Sequence, residues 1–96
     1  MLFAVTMDVA IPEGLEDQAR SELVAQEKAY CHELQKSGVW VHIWRCVGQY
    51  ANLSVFDVES NEALHDVLWK LPLFPYMTIQ VTPLALHPSD LAAAAA

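Results

Sequence analysis

Between residues 2 and 11 apolar and polar positions alternate: Phe3, Val5, Met7, Val9 and Ile11 fall on one face, Ala4, Thr6 and Asp8 on the other. That two-residue period predicts a half-buried strand, closed by Pro12 and a turn at Glu13-Gly14. The period then changes. Residues 15–36 contain no Gly or Pro, and Leu15, Ala19, Leu23, Tyr30 and Leu34 recur at helical spacing, with Lys36 in the last turn and Gly38 as the stop. Residues 39–47 (VWVHIWRCV) and 50–58 (YANLSVFDV) are rich in β-branched and aromatic side chains and flank Gly48-Gln49, which predicts two strands and a hairpin-like turn. Ser60 predicts the N-cap of a second helix over 61–70, with Leu64, Val67, Leu68 and Leu71 facing inward. An apolar loop with two prolines, Leu71 to Tyr76, leads into a last alternating stretch at 77–84. From His87 onward no period is visible. The chain is expected to be one domain over 1–91, with 92–96 as an irregular tail.

The order is β-α-β-β-α-β, an α+β pattern that predicts a ferredoxin-like four-stranded antiparallel sheet with both helices on one face. Strict alternation along 39–47 would put Trp40, His42, Trp44 and Cys46 on one side and Val39, Val41, Ile43 and Val47 on the other. Both sides are then largely apolar. Two helices cover only one of them, so a second subunit packing on the other is expected.

Composition sharpens this picture. A hydrophobic share of 54% in 96 residues is rich for a small domain and fits apolar surface covered by other copies. A net charge of -7 with only five basic residues argues against nucleic acid and anionic membrane partners, since both require a basic patch. No run of 18 apolar residues suggests a membrane span. The N-terminal stretch has an early acid and no basic region, so no secretory leader is expected and a cytoplasmic location is. Cys31 and Cys46 are expected as free core thiols in a reducing compartment. Cys31 and His32 are adjacent and point about 100° apart on a helix, and His42, His65 and His87 are scattered, so no metal is expected.

Several residues could carry chemistry, each with a structural alternative. Glu27 stands on the first helix's apolar stripe, with Leu23, Tyr30 and Leu34 at helical spacing around it. A carboxylate there either reaches water at the stripe's edge or is buried with a raised pKa, as a general base requires. Arg45 is the one cation in the aromatic second strand, and either pairs with a structural acid or binds a substrate carboxylate. Tyr50, Asn52 and Ser54 share one side of the third strand, and Phe56 continuing that side suggests a pocket wall rather than open solvent. His65 borders the apolar face of the second helix. Trp40, Trp44, Phe74 and Tyr76 form an aromatic set suited to a core, an interface or a ligand wall.

Two long stretches carry more than periodicity. GVWVHIWRCVGQYANLSVFDV and SNEALHDVLWKLPLFPYMTIQVTPLALHP, with Phe3-x-Val5-x-Met7 and Glu27-Lys28 before them, closely resemble the muconolactone isomerase family over about residues 1–90. The resemblance implies a dimeric α+β barrel on the ferredoxin-like fold, assembled into a homo-oligomer that is decameric in this family. It implies no cofactor, and a lactone carboxylate as substrate in catechol or chlorocatechol breakdown. By the same resemblance Glu27, Arg45, Tyr50, Asn52 and His65 match the family's site, with Arg45 expected to contact the substrate and the other four to be catalytic. Phe3, Trp40 and Phe74 are expected to join Arg45 as substrate contacts.

Two positions depart from the family pattern. Family members often carry a cation at position 6 and Arg or Pro at position 41, where this chain has Thr6 and Val41. Fewer cations near an anionic substrate point to the dehalogenating variant, in which proton abstraction expels chloride from 5-chloromuconolactone to give a dienelactone. The alternative is the muconolactone delta-isomerase, which returns the proton to give 3-oxoadipate enol-lactone. A non-catalytic ligand-binding barrel and a cofactor-free monooxygenase are the further readings.

Overall fold

The computed structural model describes residues 1–95, with β1 Leu2–Val9, α1 Asp17–Lys36, β2 Trp40–Arg45, β3 Ala51–Asp57, α2 Asn61–Trp69, β4 Met77–Leu84 and α3 Leu91–Ala95. The sheet is antiparallel in the order β2-β3-β1-β4, the ferredoxin-like arrangement expected from the element order. β1 is central. Its Phe3, Val5, Met7 and Val9 are all buried, so the alternation read from the sequence is the real partition between core and outer face. The core joins these residues to Trp40, Phe56 and Val58 and to Leu64, Leu68 and Leu71 from α2 and the loop after it.

Helix α1 ends where Gly38 adopts φ 83, a left-handed value that a side chain disfavours and glycine accepts. None of its residues is fully buried. It rides above the sheet and is tied to α2 by Tyr30, whose hydroxyl donates to the Val67 carbonyl at 3.2 Å. A space therefore remains beneath its middle. Helix α2 starts at Ser60, whose Oγ accepts from the Ala63 amide at 3.1 Å. Ser60→Ala leaves that amide without its cap and should cost about 1 kcal/mol. Thermal unfolding would read this as a midpoint lower by about 4 °C or more.

The second strand departs from the expected alternation. Trp40 lies opposite Phe56 and His42 opposite Val55, so Val41 is an extra residue in the ladder, a β-bulge. Past it the faces exchange. Ile43 then lies opposite Ser54 and Arg45 opposite Asn52, on the helix side with Trp40, while Trp44 lies opposite Leu53 on the outer face. Trp40 is 3% exposed and Trp44 is 53% exposed. The expected grouping of Trp40, His42 and Trp44 on one face is thus corrected, because the bulge shifts the side-chain parity by one residue. The outer face also carries Thr6, paired with Leu53 and Gln80.

The tail is corrected as well. Residues 92–95 of the tail expected to be irregular over 92–96 lie instead, with Leu91, in the short helix α3. Asp90 starts it, its carboxylate accepting from the Ala92 amide at 2.8 Å and its carbonyl from Ala93 at 3.0 Å, and alanine has the best intrinsic helix propensity. Ala96 lies outside the described residues.

Candidate functional site

A cavity of about 270 Å³ lies under the middle of α1, between that helix and the sheet. Each surrounding element contributes by its own period. From α1 come Val24, Glu27, Lys28 and Cys31, at i, i+3, i+4 and i+7 on one helical stripe. The strands supply Met7 and Val9 from β1, Trp40, Ile43 and Arg45 from β2, and Asn52 from β3. Tyr50 enters from the turn ahead of β3, and Leu73 and Met77 close the far side. The β2 bulge is what brings Ile43 and Arg45 to this side of the sheet with Trp40.

Glu27 is the one acid among the lining residues. Its Oε1 accepts a hydrogen bond from the Leu73 amide at 2.9 Å. Its Oε2 is buried and has no partner. Burial raises the carboxyl above its usual range, and the Leu73 bond lowers it by less. Among the described residues no cation lies within salt-bridge distance of it; the one ion pair joins the N-terminal amine to Asp57. The Glu27 carboxylate is thus half-buried, bonded at one oxygen and paired with no structural cation among the described residues.

The groups around it are donors. Ser54, fully buried, donates its hydroxyl to Asn52 Oδ1 at 2.8 Å. This engages the amide oxygen and orients the Asn52 amide nitrogen as a donor. Trp40 packs on Phe56 with ring centroids 4.7 Å apart, and its indole Nε1 is buried without an acceptor. The Arg45 guanidinium sits 5.4 Å from the centre of the Tyr50 ring, a cation–π contact between two exposed side chains at the cavity's rim. The Cys31 thiol is pushed up by burial and accepts from Gln35 Nε2 at 3.1 Å, so it remains a neutral wall group. Among the described residues no group of three His, Cys, Asp or Glu side chains could hold a metal ion, and no helix is long and apolar enough to cross a membrane.

The structure thus brings together Glu27, Arg45, Tyr50, Asn52 and Trp40. It does not bring the other three candidates to them. His65 is exposed on α2 and, with Phe3, lines a second space of about 260 Å³ between α2 and the β1–β4 edge. Phe3 itself is 1% exposed and belongs to the core. Phe74 packs on the core and against the Trp69 ring at 4.9 Å. The aromatic set is likewise split, with Trp44 stacked on His42 at 4.9 Å on the outer face. Thr6 and Val41 border neither space. The inference drawn from them, a pocket poorer in cations, therefore fails on geometry. Lys28 is the charged cavity residue to which sequence reasoning gave no role, although it directly follows Glu27 on the same helix.

The arrangement has a defined chemical capacity. A carboxylate of raised pKa with one free oxygen can take a proton from carbon, and hydrogen-bond donors across the cavity can hold the negative charge that results. A model of the muconolactone delta-isomerase family matches residues 1–90. The chain is 61% identical to the muconolactone delta-isomerase of Rhodococcus opacus over 93% of its own length and 96% of that protein. It is 59% identical to muconolactone delta-isomerase 1 of Acinetobacter lwoffii, over 95% of each chain. A crystal structure of a muconolactone isomerase superposes with a TM-score of 0.90 at 52% identity, covering 95% of each chain.

Proposed function

Since the chain belongs to the muconolactone delta-isomerase family, we propose that it moves one proton across the ring of muconolactone, with Glu27 as the base that takes the proton and gives it back. The observation that carries this reading is the Glu27 carboxylate, anchored through Oε1 by the Leu73 amide and unpartnered at Oε2 within an apolar cavity. The anchored oxygen fixes the group's orientation. The free oxygen is the one available to a C–H bond.

The proton leaves the ring carbon that bears the carboxymethyl arm. Its bonding pair spreads through the conjugated lactone to the carbonyl oxygen, where the Asn52 amide, the Tyr50 hydroxyl and the Trp40 N–H are the available donors. Protonated Glu27 then returns the proton to the ring carbon two positions away, giving the enol-lactone. Atoms and charge balance with no external acid, and one base on one face of the ring suffices.

Return of the proton, rather than loss of chloride, is favoured by the isomerase names of the relatives and by the absence of Thr6 and Val41 from the cavity. We read the assembly as a homo-oligomer, because the outer sheet face exposes Trp44, Leu53, Leu2 and Leu84 with no helix over it. A cytoplasmic location fits the free thiols of Cys31 and Cys46. The test is turnover of muconolactone and of 5-chloromuconolactone by the purified protein. Fast conversion of the first, with little chloride from the second, is expected. Chloride release faster than isomerisation would overturn the assignment, and no conversion of either would remove the enzyme reading.

A further inference from the structure

The isomerase reading leaves a cation on the cavity wall without a task. The chain has five basic residues against twelve acidic ones, and two of the five, Lys28 and Arg45, line this one cavity. Among the described residues neither is in an ion pair. Arg45 is held against the Tyr50 ring. Lys28 lies on the lining stripe of α1, one turn beyond Val24 and next to Glu27, and no hydrogen bond to the protein engages its ammonium among the described residues. It does not neutralise its neighbour either, since the Glu27 carboxyl is raised by burial and lowered only by the Leu73 amide. In a protein of net charge -7, two unpaired cations at one opening make a local well for an anion that the rest of the surface repels.

We propose that Lys28 and Arg45 form a two-cation subsite for the carboxylate arm of the substrate, and that Lys28 is the residue that makes the protein selective for lactones bearing a free acid. This rests on the isomerase reading and names the recognition element of the same site. Arg45 is restrained by its ring contact and supplies direction. Lys28, on a flexible stem, supplies charge at the side of the cavity where Glu27 works. Its ammonium holds the arm while the ring carbon that carries the arm is presented to Glu27.

The test uses the full chain with Lys28→Gln and Lys28→Arg, assayed on muconolactone and on its methyl ester. For Lys28→Gln the KM for muconolactone should rise about tenfold with kcat within about twofold, the size expected from losing one charged hydrogen bond at a half-open site. Lys28→Arg should restore most of the affinity. The ester should show the same kcat/KM with wild type and Lys28→Gln, because it has no charge to lose. An unchanged KM for the acid, or an equal loss on the ester, would overturn the subsite. Calorimetric binding of the saturated lactone acetic acid, which lacks the conjugated C=C, separates this from the isomerase reading. Wild type binding it about ten times more tightly than Lys28→Gln supports the subsite even if no lactone is isomerised. Equal binding overturns the subsite even if the isomerase activity is present.

Discussion

Glu27→Gln should lower muconolactone turnover about a thousandfold, within the range that a positioned general base contributes. The amide keeps the shape of the side chain, and its oxygen can still accept from Leu73, so the cavity should persist and substrate should still bind. The same substitution should raise stability at neutral pH. Burial raises the folded carboxyl above its ordinary 4.5, so the fold favours the protonated form. Its stabilising contribution is fully present below the unfolded value and is lost as pH rises through the folded one. At neutral pH the wild type therefore holds in a half-buried place a group that ionises freely when the chain is unfolded, a disadvantage that glutamine removes. Thermal unfolding at pH 7.5 should show the variant more stable than wild type, and the gap should close as pH falls below 4.5. The wild-type kcat/KM should rise with pH through the raised carboxyl and then level off. A variant that keeps turnover within tenfold of wild type would show that another group is the base.

Phe3→Ala should cost about 3–5 kcal/mol, the usual loss for a fully buried phenylalanine. Phe3 sits on the central strand, opposite Phe56 on one side and Pro83 on the other, and is 1% exposed. Neither neighbour can collapse into the gap without disturbing the ladder. A loss of that size is a large share of the 5–15 kcal/mol typical of a whole domain. Urea unfolding should show a much lower midpoint. The remaining folded protein should keep its KM, because Phe3 does not line the Glu27 cavity. Normal stability with a raised KM would restore the substrate-contact role expected for it from the sequence.

What was legible in the sequence is what short-range chemistry decides. The β1 alternation, the Ser60 cap and the Gly38 stop each depend on residues within a turn or two, and each is where the periodicity predicts it. Glu27 could be singled out because one acid on an apolar stripe breaks a local rule. Its hydrogen-bond partner could not, since Leu73 lies 46 residues away and offers only a backbone amide. Nor could the exchange of faces after Val41, because a bulge is chosen by the pairing of two strands rather than by either one alone. His65 was placed with the catalytic set by resemblance, while packing of α2 over the β1–β4 edge puts it in the other space.

The bulge has an evolutionary consequence. Val41 is 41% exposed and borders neither cavity, so its side chain is free to change. The residue itself is removable too. Trp40, His42, Ile43, Trp44 and Arg45 stand opposite Phe56, Val55, Ser54, Leu53 and Asn52 in unbroken order, so deleting Val41 would leave a regular ladder with Ile43 and Arg45 still on the helix side. Straightening the bulge while keeping the residue is what would turn both to the far face and empty one wall of the site. The constraint thus lies in how β2 pairs with β3 and not in any one residue, and a comparison that scores residues column by column would not register it.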